Sequence, residues 1–80
     1  MNELAASPTP AEVARRYPMT IVWSDEDGCY VGRCPGLFLG GCHGEDAADV
    51  LAELRQIAED VAGDYLREGR ALPEPAGVAA

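Results

Sequence analysis

The sequence predicts an α+β fold in which a small antiparallel sheet is covered on one face by a single long helix. Residues Tyr17–Trp23 and Cys29–Cys34 alternate along their length as strands do, and the turn sequence SDEDG joins them. Residues 46–69 instead repeat their apolar side chains at helical spacing. That apolar stripe must cover something, and the predicted sheet is the surface that the chain offers.

A short helix is predicted ahead of the first strand, in the stretch TPAEVARR. Thr9 suits the N-cap position, Pro10 the first helical position and Glu12 the third position of a capping box. We expect the helix to end near Arg16, because Pro18 favours an extended conformation for the residue before it.

The predicted strands have two different faces. In the first strand, one face carries Tyr17, Met19, Ile21 and Trp23, and the opposite face carries Thr20 and Val22. Pro35 ends the second strand, because proline has no N–H group for the ladder. A short third strand is predicted around Gly41–His43, where closely spaced glycines also indicate a bend.

The long helix has predicted ends as well as a predicted face. Asp46 suits the N-cap and Gly69 the C-terminal stop, so the helix spans about 22 residues, or about 33 Å. The apolar stripe consists of Val50, Leu51, Leu54, Ile57, Ala58, Val61 and Tyr65, and the opposite face carries Asp49, Glu53, Asp60 and Asp64. The extended sequence ALPEP (Ala71–Pro75) is expected to add an edge strand, which gives the order β-β-β-α-β.

The charge balance is strongly acidic, with 14 Asp and Glu residues against six Arg and a net charge of -8. Such a charge opposes a phosphate backbone and favours a basic protein partner. No segment is apolar over the roughly 20 residues that a membrane span needs. The start MNELAASPTP lacks the basic and apolar regions of a secretory signal, so we expect a cytoplasmic protein.

All three cysteines and the single histidine fall within the stretch CYVGRCPGLFLGGCHGED. Cys29 and Cys34 are five positions apart, which in a strand places them on opposite faces and about 16 Å from each other. Cys42 and His43 are adjacent and are expected to diverge in the same way. We therefore expect no metal site, and we expect no disulfide because cytoplasmic thiols stay reduced.

Catalytic chemistry is not expected either. His43 has no evident partner to orient it for Cys–His catalysis. The acidic residues fall in a turn and along the outer helix face, and they do not converge on a pocket that could hold two metal ions. The sequence therefore predicts a protein that is not an enzyme and needs no cofactor.

The apolar pair Phe38–Leu39 lies in a glycine-flanked loop where a turn is normally polar. Two explanations are open from the sequence. Either the pair packs under the helix, or it forms part of an interface with a partner.

Three stretches follow one another in order along the chain: YPMTIVWSDEDGCYVGRCPGL, then GED opening the long helix, then LREGRALPEP. Their order and spacing resemble the HicB family of antitoxins, the partners of HicA toxins in bacterial toxin–antitoxin pairs. The resemblance covers about residues 17–75. The positions that match the family pattern are Tyr17, Pro18, Trp23, Gly28, Tyr30, Val31, Pro35, Leu37, Gly44, Leu51, Gly69, Pro73, Glu74 and Pro75.

The resemblance implies a partial ribonuclease-H-like fold, β-β-β-α-β, that serves as a protein-binding scaffold and not as a nuclease. It implies that the chain binds and neutralises a small, basic, mRNA-cleaving HicA-like toxin, a partner that suits an acidic protein. The residues that we expect to contact the partner are Asp25, Glu26, Asp27, Phe38 and Leu39.

The chain also departs from the family pattern. Gly36–Gly40 replaces the usual turn after the second strand, and no DNA-binding domain follows Pro75, so we do not expect autoregulation by this chain. The net charge of -8 predicts no direct nucleic-acid binding. The alternative is a stand-alone HicB-like domain that associates with itself and binds another protein or a small molecule. Under either hypothesis we expect a homodimer or a higher homo-oligomer. The predicted organisation is an N-terminal extension (1–16), a HicB-like domain (17–75) and a disordered tail (76–80).

Overall fold

The computed structural model describes residues 8–75 and confirms the α+β class. Its helices and strands, in chain order, are α1 (Pro10–Ala14), β1 (Thr20–Ser24), β2 (Cys29–Arg33), β3 (Gly41–Gly44) and α2 (Ala47–Glu68). The strands form one antiparallel sheet in the order β1-β2-β3, and α2 packs against one of its faces. The expected disordered tail lies outside the described residues.

The last strand of the expected order is not formed, because residues 70–75 have no strand pairing. The β-β-β-α part of the order is present, and the segment after α2 is held by side chains instead. Leu72 packs against the core, and the hydroxyl of Tyr17 donates a hydrogen bond to the Pro73 carbonyl at 2.6 Å.

Helix α1 begins with the predicted capping box. The Thr9 hydroxyl accepts a hydrogen bond from the Glu12 backbone N–H at 3.1 Å, and the Glu12 carboxylate accepts one from the Thr9 backbone N–H at 2.8 Å. The helix ends at Ala14, slightly earlier than expected. Val13 and Ala14 are buried in the core, so α1 packs as part of the domain.

Strand β1 begins at Thr20, three residues later than predicted. Tyr17 continues the turn that follows α1, because its N–H group bonds to the Ala14 carbonyl at 3.1 Å. Its ring is only 4% exposed and belongs to the core that α1 and α2 share. The apolar alternation that predicted a strand from Tyr17 onward therefore includes Tyr17 itself, which is buried in the core without being part of the strand.

The register assigns each face of the sheet. Ile21, Gly32 and Cys42 are directly paired across the three strands, and this row faces α2. Cys42 is buried there, and its thiol donates to the Val50 carbonyl of α2 at 3.5 Å. The neighbouring row faces away from α2 and consists of Val22, Val31 and His43.

Helix α2 has the predicted ends. The Asp46 carboxylate accepts hydrogen bonds from the backbone N–H groups of Ala48 and Asp49, and Gly69 stops the helix with a φ of 68°. The fully buried row of the helix is Val50, Leu54, Ala58 and Ala62. Within residues 8–75, no helix is both long and apolar enough to cross a membrane.

Gly32 sets the distance between α2 and the sheet. A Cβ atom built at this position would lie 2.8 Å from the Val50 Cγ1 atom and 3.3 Å from the Leu54 Cδ2 atom. Both neighbours are almost completely buried, so neither side chain has free space into which to move.

We expect the substitution Gly32→Ala to lower the free energy of unfolding by roughly 1–3 kcal/mol, because the added methyl group overpacks this contact. Gly63→Ala is the matched control. A methyl group at position 63 would contact Pro10 at 3.6 Å and Arg67 at 4.0 Å, both ordinary van der Waals distances, and alanine stabilises the interior of a helix by about 0.5–1 kcal/mol relative to glycine. Urea denaturation should therefore show opposite shifts in midpoint for the same chemical change. Equal shifts would contradict the close approach at Gly32.

Removal of the Tyr17 hydroxyl tests the attachment of the C-terminal segment. We expect Tyr17→Phe to lower the free energy of unfolding by about 1 kcal/mol, because the ring stays in place while the bond to the Pro73 carbonyl is lost. Thermal denaturation followed by circular dichroism measures this change. Tyr30→Phe is the control, and an equal loss in both variants would contradict a specific role for the Tyr17 bond.

Candidate functional site

The turn between β1 and β2 presents three carboxylates, Asp25, Glu26 and Asp27, all exposed. Two of them are held in place. Asp25 accepts a hydrogen bond from the Trp23 indole N–H at 2.9 Å, and Asp27 accepts one from the Ser24 hydroxyl at 3.2 Å. The turn is closed by the Gly28 N–H, which bonds to the Ser24 carbonyl at 2.8 Å. The hydrogen bonds therefore hold the carboxylates of Asp25 and Asp27 in defined positions at the surface.

An aromatic pair supports this acidic turn. Trp23 and Tyr30 are paired across β1 and β2, and their rings meet edge to face with centroids 5.1 Å apart. Trp23 remains 48% exposed. A large aromatic side chain beside fixed charges is typical of a residue that contributes strongly to binding at an interface.

The apolar loop after β2 divides between the core and the solvent. Leu37 is buried, and Phe38 is half-buried and packs against the core. Leu39 is 91% exposed, the largest exposure among the large apolar side chains of the described residues. Of the two explanations for the pair, core packing applies to Phe38, while Leu39 remains available to a partner.

The predicted contact residues do not form one patch. The acidic turn leads into the start of β2, whereas Phe38 and Leu39 follow the end of β2. A five-residue strand separates the two groups, which corresponds to about 17 Å. One partner can contact both groups only by extending along the whole sheet.

The cysteines and the histidine are dispersed as the strand alternation predicts. Cys42 is buried under α2, while the adjacent His43 is exposed on the other face of the sheet. Cys34 is buried in the core. Cys29 is half-buried and lies on the sheet face away from α2. Among residues 8–75, no three His, Cys, Asp or Glu side chains converge closely enough to hold a metal ion.

Burial raises the pKa of the two core thiols. Desolvation is the main cause for Cys34 and for Cys42, and the negative charge of Glu53 raises the pKa of Cys42 further. Both thiols therefore stay neutral where a free thiolate would begin to form, and they act as small apolar side chains.

The strand residues on the sheet face away from α2, called here the open face, were not among the contact residues expected from the sequence. It comprises the side chains of Thr20, Val22, Ser24, Cys29, Val31, Arg33 and His43, together with Gly41. Two shallow hollows of about 490 and 300 Å³ lie on it. Asp27, Val31 and Arg33 line both hollows. The alternation of Thr20 and Val22 with the core-facing residues was the signal that could have identified this face.

A second groove of about 460 Å³ lies between α1 and α2. Its floor includes Met19 and Leu51, and Arg15, Arg55 and Glu59 line its sides. The groove therefore combines apolar and charged groups, with both signs of charge present.

The comparisons with known proteins give no match: no protein-family model, no curated protein and no solved structure is significantly similar to this chain.

The three thiols should differ in reactivity in a predictable order. At pH 8, we expect a thiol reagent to modify Cys29 rapidly and to modify Cys34 and Cys42 only at the rate at which the fold opens. The measurement is labelling with a chromogenic disulfide reagent, with Cys29→Ser as the control that removes the rapid phase. Rapid labelling of all three thiols would contradict their placement.

Stability should decrease at alkaline pH. Because the folded pKa of Cys34 and of Cys42 is raised, the unfolded chain loses these protons first, near the ordinary value of 9.0. The stabilisation is fully present below that pH and is lost as pH rises through the folded pKa values. Urea denaturation between neutral and alkaline pH measures the decrease. We expect Cys34→Ala to reduce the slope of this decrease, and an unchanged slope in that variant would contradict the raised pKa of Cys34.

Proposed function

We propose that the protein is a HicB-like antitoxin, a cytoplasmic and non-catalytic binding domain that neutralises a small, basic, HicA-like mRNA-cleaving toxin by direct contact. The observation that carries the proposal is the fixed acidic turn beside the half-exposed Trp23. This turn offers a basic partner both an oriented charge and an aromatic contact.

The spacing of the family-like residues supports the same proposal. Trp23 and Gly28, both at family positions, flank the acidic turn, and Gly28 adopts a φ of 68° that closes it. Tyr17 and Pro73, also at family positions, form the hydrogen bond that connects the two ends of the domain. The family-like residues therefore have structural roles that maintain the scaffold presenting the turn.

The charge of the rest of the surface also suits a basic partner. Asp49, Glu53 and Asp60 are exposed along α2, so negative charge is present at a distance from the turn as well. In the proposed complex this wider charge accelerates encounter, while the turn and the exposed Leu39 make the final contacts.

A second candidate function is a stand-alone domain that associates with itself and takes another protein or a small molecule as its partner. The open face favours this candidate, because Val22 is 60% exposed there and nothing within residues 8–75 covers it. The two candidates differ in their partner and share the same fold.

The first test is light scattering of the purified protein, alone and mixed with the product of any adjacent gene that encodes a small basic protein. The proposal expects a new complex of fixed stoichiometry, and toxin activity on mRNA should fall as that complex forms. If no complex forms at any mixing ratio of the two proteins, the antitoxin proposal is disproved and the stand-alone candidate is favoured.

Neutralising the turn should slow the association with the toxin. We expect the triple variant Asp25→Asn, Glu26→Gln, Asp27→Asn to reduce the association rate about tenfold at low salt, and the difference should shrink as salt screens the charges. The matched control, Asp49→Asn, Glu53→Gln, Asp60→Asn, removes the same charge from α2 and should have a smaller effect. Stopped-flow fluorescence of Trp23 measures both rates. Equal effects would show that net charge matters and the turn does not.

A further inference from the structure

We propose that the open face is a self-complementary interface on which a second copy of this chain docks face to face, with its β2 antiparallel to the first β2. This inference does not depend on the toxin contact, and Asp27 is the one residue that belongs to both surfaces. It rests on the distribution of charge and apolar groups along β2.

The open face differs from the rest of this acidic surface. Its centre is the row Val22, Val31 and His43, and the exposed fraction of Val22 is 60%. Arg33 lies at one end of β2 and forms no ion pair within residues 8–75. The strand residues of this face include no carboxylate. Repulsion between two copies with a charge of -8 is therefore smallest here.

The charges along β2 have opposite signs at its two ends. Asp27 precedes the strand and Arg33 ends it, and both side chains line the same two hollows. Six positions separate them, which corresponds to about 20 Å of extended chain. The open face thus has a negative end, an apolar centre around Val31 and a positive end.

A two-fold axis can relate two such faces in two ways. If the axis is parallel to β2, Arg33 meets Arg33 of the second copy, and like charges oppose each other. If the axis is perpendicular to β2, Asp27 of each copy meets Arg33 of the other, and the ion pair forms twice. The axis of the second arrangement crosses β2 at Tyr30, so it stacks β1 on β1 and places Val31 opposite Cys29 and Val22 opposite Ser24 of the second copy. Charge complementarity therefore selects the antiparallel arrangement.

The size of the face sets the expected strength. Three strands spaced by about 4.8 Å, two of them about 17 Å long and β3 about 13 Å long, give a small contact area compared with the roughly 800 Å² per partner of a standard interface. We therefore expect a dimer that dissociates in the micromolar range. A strongly basic partner fits this face less well, because Arg33 repels it.

Charge exchange tests the proposal. Sedimentation velocity of the full chain from about 1 to 200 µM should show a reversible dimer. Arg33→Asp and Asp27→Arg should each raise the dissociation constant at least tenfold, and the double variant should restore it, because the pair is re-formed with exchanged signs. Restoration by the double variant also excludes misfolding as the cause. A wild-type monomer at all concentrations, or no restoration, would overturn the proposal.

A second pair of variants distinguishes docking through the open face from pairing through the strand edges. Val22→Glu should abolish the dimer, whereas Leu39→Glu, which adds the same charge at an exposed leucine outside the open face, should leave it intact. A dimer that resists Val22→Glu would show pairing through strand edges and would overturn the proposal.

Cross-linking tests the orientation. On a Cys29→Ser background, Val22→Cys should cross-link to its equivalent through a short bismaleimide, because the antiparallel arrangement separates these two positions by only about 7 Å along the strand. Thr20→Cys should cross-link poorly on the same background, since its equivalent lies about 20 Å away along the strand. Equal cross-linking of the two variants would overturn the antiparallel orientation.

Discussion

The close approach of α2 to the middle strand at Gly32 determines how the rest of the molecule is arranged. Because no side chain stands between them, Val50 and Leu54 pack directly on β2. This contact buries one face of the sheet, including Cys42, in the core. The row of Val22, Val31 and His43 therefore lies on the opposite face, which is exposed to solvent. With only one long helix in the described residues, the second face stays uncovered, and the chemistry of the surface follows from that asymmetry.

Features set by local chemistry were predictable from the sequence. Asp46 and Gly69 defined α2 because capping depends on a few neighbouring backbone groups. The predicted start of β1 was wrong because Tyr17 continues the turn after α1, and its burial in the core gives the same apolar alternation as a strand residue. Phe38 and Leu39 could not be distinguished, since two adjacent apolar residues become different only when the turn that carries them has a defined direction.

The predicted contact residues were only partly informative about a site. The carboxylates of the turn could be identified from composition, but their fixation by Trp23 and Ser24 requires side-chain geometry that no spacing rule provides. The separation of the turn from Leu39 follows from the hairpin topology and was available in principle. The opposite charges of Asp27 and Arg33 can be recognised as complementary only when the structure places both side chains on the same face of the sheet.

The attachment of the C-terminal segment has a consequence for local stability. Residues 70–75 share no strand ladder with the sheet, and they are held by the hydroxyl of Tyr17 and by the partial burial of Leu72. Detaching this segment therefore breaks few interactions and costs much less free energy than unfolding the sheet. In native-state hydrogen exchange, the amides of this segment should open independently, while those of β2 exchange only with global unfolding. The domain thus consists of a stable three-stranded sheet and a C-terminal segment, residues 70–75, that can detach without unfolding the sheet.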